Sequence, residues 1–194
     1  MRSPQDQALC AALRQEMLIA RRGQGEEARR EKSRRICAHM AAHPLFARAG
    51  TVLLYRAVRG EADLAALAVS GKRLAYPRCL EGGAMEALVP WDSSAWRRGA
   101  YGIPEPDPER SDRLEPHELD LIVCPCVAFD DHFHRLGMGA GYYDRYLEDY
   151  EGVTIGLCRE DFFQVNLPRE PLDAWVRFVL TEEGQVWPMT QPID

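Results

Sequence analysis

The chain has 194 residues, of which 46% are hydrophobic and 28% charged, and its formal net charge is −6. This composition is typical of a soluble globular protein, and the length predicts one domain over residues 1–194. No apolar run approaches the ~20 residues that span a bilayer, and the N-terminus lacks the apolar core of a signal peptide. We therefore expect a cytoplasmic protein with no membrane partner, and the acidic balance argues against broad nucleic-acid binding.

Hydrophobic periodicity predicts helices that alternate with strands. Leu9, Leu13, Met17 and Ala20 recur at helical spacing in a helix over 5–22. The other predicted elements are helices over 26–42, 61–70 and 141–150 and strands over 51–55, 73–76, 85–89, 121–124, 153–157 and 175–181. Residues 90–118, rich in Pro, Gly and acidic residues, are expected to be mostly loop. The alternation predicts an α/β fold: a three-layer α/β/α sandwich with a mainly parallel, Rossmann-like sheet.

A glycine-rich loop after the strand over 121–124 is the most informative motif. Gly137, Gly139 and Gly141 alternate with other residues between Arg135 and Asp144. Amide groups turned toward one point by such a loop can bind an anion, arginine suits phosphate oxygens, and a carboxylate can hold Mg²⁺. The spacing matches neither a P-loop nor the dinucleotide fingerprint, and the glycines alone are equally typical of a tight turn.

Two other features of the sequence are explained by ordinary structure without a functional site. The six cysteines form no C-x-x-C pair, which argues against a zinc or thioredoxin-like site and favours reduced, buried thiols. The segment over 130–134 contains two aspartates and two histidines, which could bind a transition metal, but a polar loop leading into Arg135 is the favoured interpretation.

The strand over 120–125 followed by the string Arg135-Leu136-Gly137-x-Gly-x-Gly141-Tyr142-Tyr143-Asp144 resembles the 5-formyltetrahydrofolate cyclo-ligase family, also called methenyltetrahydrofolate synthetase. Other matching pieces span most of the chain. They are Leu13-Arg14, Glu61-Ala62-Asp63, the segment over 101–106, Gln164, Pro168 and Asp173.

The resemblance implies an enzyme that uses ATP and Mg²⁺ to convert 5-formyltetrahydrofolate to 5,10-methenyltetrahydrofolate through a phosphorylated formyl group, an iminium phosphate. Its expected partner is therefore a reduced folate, with or without a polyglutamate tail, and a monomer or small homo-oligomer is expected. Arg135 and Asp144 would be the catalytic residues, and Asp144 and Asp173 the metal ligands. The implied ATP contacts are Arg14, Arg135, Leu136, Gly137, Met138, Gly139, Ala140, Gly141, Tyr142 and Tyr143. The implied folate contacts are Glu61, Met138, Gly139, Ala140, Gly141 and Tyr142.

Two departures from the family pattern keep an alternative open. Cys10 stands where the family has a lysine, so a phosphate-facing cation is missing unless Arg21 or Arg22 replaces it, and Leu172 stands where the family often has histidine. The alternative is a divergent paralogue that binds nucleotide or folate without closing the ring. A nucleotide-binding interaction protein is the third hypothesis, and it would leave Glu61 unexplained.

Overall fold

A central β-sheet organises the molecule, whose computed structural model describes residues 3–58, 60–99, 102–168 and 173–186. The α-helices are α1 (Pro4–Gly23), α2 (Glu26–Ala42), α3 (Pro44–Arg48) and α4 (Tyr142–Tyr146). The strands are β1 (Thr51–Leu53), β2 (Arg73–Cys79), β3 (Met85–Pro90), β4 (Trp96–Arg98), β5 (Pro104–Pro106), β6 (Ser111–Leu114), β7 (Leu121–Pro125), β8 (Ala128–Asp130), β9 (Arg135–Leu136), β10 (Val153–Leu157), β11 (Phe163–Gln164), β12 (Phe178–Thr181) and β13 (Gly184–Val186).

Eight strands form the main sheet in the order β13-β12-β10-β7-β1-β2-β3-β6. The five inner strands from β12 to β2 pair in parallel. The pairs β12–β13, β2–β3 and β3–β6 are antiparallel. The sheet is therefore parallel where β1 and β7 lie, and the ligand site of such a sheet is expected beyond the carboxyl ends of these strands.

Alternating side chains of the inner strands point to two separate cores, as the two-residue period of a strand requires. In β1, Leu53 packs in one core with Cys10 and Met17 of α1, whereas Val52 packs in the other with Ile36 of α2. Helices thus cover both faces of the sheet. The predicted three-layer α/β/α sandwich is confirmed.

The N-terminal helix is set by a cap and a narrow buried stripe. The Ser3 side chain accepts a hydrogen bond from the Asp6 amide at 3.1 Å, and Pro4 occupies the first turn, where its missing N–H is tolerated. Cys10, Met17 and Arg21 are buried on one face. Leu9, which the periodicity placed on the apolar face, is 49% exposed, so the buried stripe is rotated by about one residue from the predicted one.

Several predicted elements differ from the structure. The helix over 61–70 is a 3₁₀ helix limited to Ala65–Val69, and the helix over 141–150 is limited to Tyr142–Tyr146. The predicted loop over 90–118 contains β4, β5 and β6. The proline- and acid-rich composition hid these short strands, because the pairing of β6 with β3 is decided by contacts distant in sequence. No helix in the described ranges is long and apolar enough to cross a membrane.

Candidate active site

A cleft with a volume of about 840 Å³ lies where the parallel strands end. Pro125 closes β7 and Cys79 closes β2, and both line the cleft, as does Tyr55 just beyond β1. The predicted site residues that also line it are Arg14, Glu61, Arg135, Gly137, Met138, Gly139, Ala140, Gly141, Tyr142, Tyr143, Asp144 and Asp173. Residues from distant parts of the sequence are thus brought to one site.

Each glycine of the loop lies against a different arginine. A Cβ at Gly137 would be 3.1 Å from Nη1 of Arg135, and one at Gly139 would be 3.3 Å from Cζ of Arg14. A Cβ at Gly141 would be 2.7 Å from Nη1 of Arg145. The missing side chains therefore let three guanidinium groups pack against the loop backbone.

Two of these arginines hold the loop backbone by hydrogen bonds to its carbonyls. Nε of Arg14 donates to the Gly137 carbonyl at 2.8 Å, and Nη2 of Arg145 donates to the Ala140 carbonyl at 2.6 Å. Gly139 and Gly141 have φ angles of +98° and +70°, which glycine adopts without strain. The amides of residues 138–141 donate to no acceptor within the described ranges, so they remain free for a ligand. Successive backbone amides without acceptors are the kind of group that can bind an anion.

Arg135 and Asp144 form an ion pair at the base of the loop. Nη2 of Arg135 lies 2.7 Å from Oδ1 of Asp144, and the Arg135 side chain is 2% exposed. The guanidinium also lies 5.6 Å from the centre of the Tyr143 ring. Burial and these contacts fix the arginine in one orientation, which a phosphate-binding group needs.

Asp144 connects the loop to the segment that carries Asp173. Its Oδ1 also accepts from the Ala174 amide at 3.2 Å, which places Asp173 beside it in the cleft wall. Oδ2 of Asp144 accepts no hydrogen bond from the described part of the chain, and the side chain is 27% exposed. Within the described ranges there is no cluster of three or more metal-ligating side chains. One or two carboxylates with phosphates and waters are the usual Mg²⁺ environment in nucleotide sites, so these residues fit that ion.

Glu61 precedes the glycine loop in sequence, whereas Asp144 and Asp173 follow it. It lies in the chain after β1. Its Oε2 accepts from the Val58 amide at 3.0 Å. Behind it, Arg21 and Arg159 are both 2% exposed and line a small inner cavity together with Glu61. Arg159 donates to the Gly60 carbonyl at 2.7 Å, which fixes the backbone next to Glu61.

The side chain of one predicted ATP contact does not line the cleft, and neither does one suggested replacement for the family lysine. Leu136 packs in the core at 1% exposure and does not line the cleft, so its side chain cannot touch a ligand there. Arg21 cannot replace the missing phosphate-facing cation, since it donates to the carbonyls of Cys126 and Val127 in the interior. Leu172 lies outside the described residues.

The two tyrosines after the glycine loop pack against the core and also line the cleft. Burial raises the pKa of Tyr143 well above its usual value, so its hydroxyl stays protonated. That hydroxyl is buried without a hydrogen-bond partner in the described chain, although the residue lines the cleft. Tyr142 lies near Arg145, with 5.8 Å from the guanidinium carbon to the ring centre. Both tyrosines can therefore contact a ligand in the cleft.

Sequence reasoning missed several residues of the cleft wall. They are Arg56, Cys79, Glu105, Arg145 and Trp175. Arg145 was detectable, since it follows the glycine string directly in the sequence. Trp175 was assigned to a strand by its apolar character, but it precedes β12 and is 68% exposed.

The segment over 130–134 is a turn held by one carboxylate. Asp130 is 1% exposed and accepts from the amides of His132 and His134, each at 3.0 Å, and from the Leu167 amide at 3.2 Å. Nδ1 of His134 lies 3.2 Å from its Oδ2. The Asp130 oxygens are thus used to shape the chain that leads into Arg135, which agrees with the polar-loop interpretation.

Comparison with known proteins identifies the family. Residues 6–182 match the model of the 5-formyltetrahydrofolate cyclo-ligase family. The chain belongs to this family. It is 30% identical to the 5-formyltetrahydrofolate cyclo-ligase of Escherichia coli K12, over 86% of this chain and 96% of the relative. It is also 30% identical to a probable cyclo-ligase of Schizosaccharomyces pombe, over 76% and 82% of the two chains.

Solved cyclo-ligase-family structures have the same fold. The Aquifex aeolicus 5,10-methenyltetrahydrofolate synthetase superposes with a TM-score of 0.84 at 31% identity, covering 95% of each chain. The Mycoplasma pneumoniae 5,10-methenyltetrahydrofolate synthetase superposes with a TM-score of 0.73 at 21% identity, covering 89% of this chain and 98% of the other. The fold resemblance extends over nearly the whole chain.

Proposed function

We propose that this chain is an ATP- and Mg²⁺-dependent cyclo-ligase that converts 5-formyltetrahydrofolate to 5,10-methenyltetrahydrofolate. The single observation that carries the proposal is the glycine loop, whose residues line a cleft shared with Arg14, Arg135, Asp144 and Glu61 and whose amides have no described acceptor. Family membership supplies the reaction class, and the geometry supplies a place for its two substrates.

The reaction needs activation of the formyl oxygen. This oxygen attacks the γ-phosphorus of ATP, the bond to the β-phosphate oxygen breaks, and ADP leaves. N10 of the folate then attacks the formyl carbon, its proton goes to solvent, and the carbon–oxygen bond breaks. The oxygen departs with phosphate, so the products are methenyltetrahydrofolate, ADP and phosphate. Positioning and charge neutralisation are the main requirements of such a transfer.

The glycine loop is the proposed phosphate site. Its amides between residues 138 and 141 would donate to phosphate oxygens, and Arg135 would neutralise charge that develops during transfer. Arg14 donates to the Gly137 carbonyl, which fixes the backbone at the start of the loop beside the proposed phosphate site. Tyr142 and Tyr143 would close the site from the α4 side.

Asp144 and Asp173 are the proposed ligands of Mg²⁺. When bound, this ion would polarise phosphate oxygens and offset their charge. Asp144 can serve because Oδ1 is fixed by Arg135 and the Ala174 amide while Oδ2 accepts from no described group.

Glu61 is the proposed folate contact. Its Oε2 is oriented by the Val58 amide, and it lies at the wall of the cleft after β1. A carboxylate accepts hydrogen bonds without donating any, which suits the donor edge of a pterin. Residues 138–142 would border the same ligand, so that the formyl group and the γ-phosphate meet above the loop.

The test is to mix purified protein with 5-formyltetrahydrofolate, ATP and Mg²⁺ and to record the near-ultraviolet absorbance of the methenyl product. We expect a band that requires all three components. Arg135→Gln should abolish it, whereas Arg34→Gln, which removes an exposed arginine paired only with Glu31, should leave it unchanged. A flat trace from folded wild-type protein that binds ATP would contradict the proposal and favour the divergent paralogue.

A further inference from the structure

Glu105 is a buried carboxylate in the wall of the cleft that the proposed reaction does not yet use. It occupies the middle of β5, is 5% exposed and lines the cleft. Its described partners are the amide of Cys79, at 3.3 Å from Oε1, and the Cys79 thiol. The amide contact is long, and a thiol is a weak donor.

The other buried glutamates differ from Glu105 in having a cation. Glu86 is 8% exposed and pairs with Arg78, and Glu182 is 2% exposed and pairs with Lys32 at 2.8 Å. No ion-pair partner of Glu105 occurs among the residues that the structure describes. A buried carboxylate without a cation costs folding free energy, so a function for its charge is expected.

The local sequence holds this carboxylate in place. Pro104 and Pro106 flank it in β5, and β5 pairs with β4 in an antiparallel hairpin closed by the Gly99 amide, which donates to Ile103 at 2.8 Å. A Cβ at Gly99 would collide with the Glu105 carboxylate. With glycine at position 99, the hairpin thus has room for the Glu105 carboxylate at the cleft wall.

We propose that Glu105 is a second carboxylate contact for the folate, accepting hydrogen bonds from N–H groups of the reduced pterin. The inference rests on the proposed function, because it assumes a reduced folate in this cleft. A reduced pterin carries N–H donors on both of its rings, and these point in different directions, so one carboxylate cannot reach all of them. The triphosphate of ATP would be repelled by a carboxylate, which favours the folate as the ligand beside Glu105.

The experiment compares Glu105→Gln with wild type in steady-state assays for each substrate and in thermal unfolding. The amide oxygen of the new side chain would take the Cys79 N–H, which turns its NH₂ group toward the donors of the pterin. We expect KM for 5-formyltetrahydrofolate to rise about tenfold or more, as for loss of a charged hydrogen bond, with KM for ATP unchanged. The melting temperature should stay the same or rise, since the change removes a buried charge that has no ion-pair partner among the described residues.

Glu86→Gln is the matched control. It lies in β3, is equally buried and does not line the cleft. It should lower the melting temperature by leaving Arg78 unpaired, with both KM values unchanged. Unaltered KM for folate in Glu105→Gln would overturn the inference, as would an equal rise in both KM values with a lower melting temperature. Inactive wild-type protein would instead contradict the proposed function itself.

Discussion

Nη2 of Arg135 and Oδ1 of Asp144 lie 2.7 Å apart, which joins the two ends of the glycine loop by an ion pair. The arginine side chain is 2% exposed, so its positive charge is balanced by this carboxylate instead of by water. One bond therefore serves the geometry of the loop and, in the proposed reaction, the orientation of a metal ligand. We expect removal of this ion pair to change both the free energy of unfolding and ligand binding.

Asp144→Asn should lower the free energy of unfolding by about 2 kcal/mol or more, because a buried guanidinium loses its anionic partner. We expect Mg²⁺ with ATP to raise the melting temperature of wild-type protein, since ligand binding to the folded state stabilises it, and we expect Asp144→Asn to abolish that rise. Asp112→Asn is the control: its pair with Arg73 is exposed and 3.4 Å long, and should contribute little. A ligand-induced rise that survives in Asp144→Asn would contradict its role as a metal ligand.

The three loop glycines should not be equally sensitive to alanine. Gly139 and Gly141 have positive φ, and a Cβ at Gly141 would also meet Arg145, whereas Gly137 has ordinary φ and a contact of 3.1 Å. We expect Gly141→Ala to raise KM for ATP by about fivefold to a hundredfold, from a strain of about 1–3 kcal/mol, and Gly137→Ala to have a smaller effect. Measured KM values for ATP in the two variants test the order, and a larger effect at Gly137 would contradict it.

Local signals predicted most strands of the central sheet and the glycine loop, whereas Arg14, Glu61 and Asp173 were predicted from the family resemblance. Runs such as residues 121–124 are buried on both sides and read as strands, and the glycine string indicates its loop directly. The hairpin of β4 and β5 was missed because its residues carry no strand-like pattern. Glu105 was missed as a site residue for the same reason: its burial is set by pairing and by Gly99, which the sequence does not display.

Position 10, where the family has a lysine, is a second place where the structure differs from the expectation based on sequence. Sequence alone suggested that a lysine at position 10 could restore a phosphate-facing cation. Cys10, however, is 0% exposed, packs in the core, and its thiol lies 3.7 Å from the Pro168 carbonyl. Packing in this chain has therefore adapted to a small side chain there.

Cys10→Lys should destabilise the protein without improving catalysis. A lysine placed in this core must lose its charge or disturb the packing, at a cost of several kcal/mol. Denaturant unfolding and kcat/KM for ATP test this, with Cys10→Ala as the control that removes the thiol and adds no charge. Higher kcat/KM with unchanged stability would show that position 10 does reach the cleft.

Buried thiols predict a loss of stability at alkaline pH. Burial raises the pKa of Cys126 to about 11 and that of Cys124 to about 12, against an ordinary value of 9.0. In the unfolded chain these thiols ionise at their ordinary pKa. Above that pH the unfolded state has therefore lost protons that the folded state still binds. Their contribution to stability is complete below pH 9 and is lost between about pH 9 and 12.

Urea unfolding between pH 8 and 10.5 measures this effect. Each such group lowers the free energy of unfolding by up to ~1.4 kcal/mol per pH unit in that window. Cys126→Ala should make the decline shallower, because one of the titrating thiols is removed, even though the variant loses some packing at every pH. Cys10→Ala is a second variant at a buried cysteine, which shows how much of the change in stability comes from lost packing. A decline equally steep in Cys126→Ala and wild type would show that other groups, such as the buried tyrosines, dominate the alkaline transition.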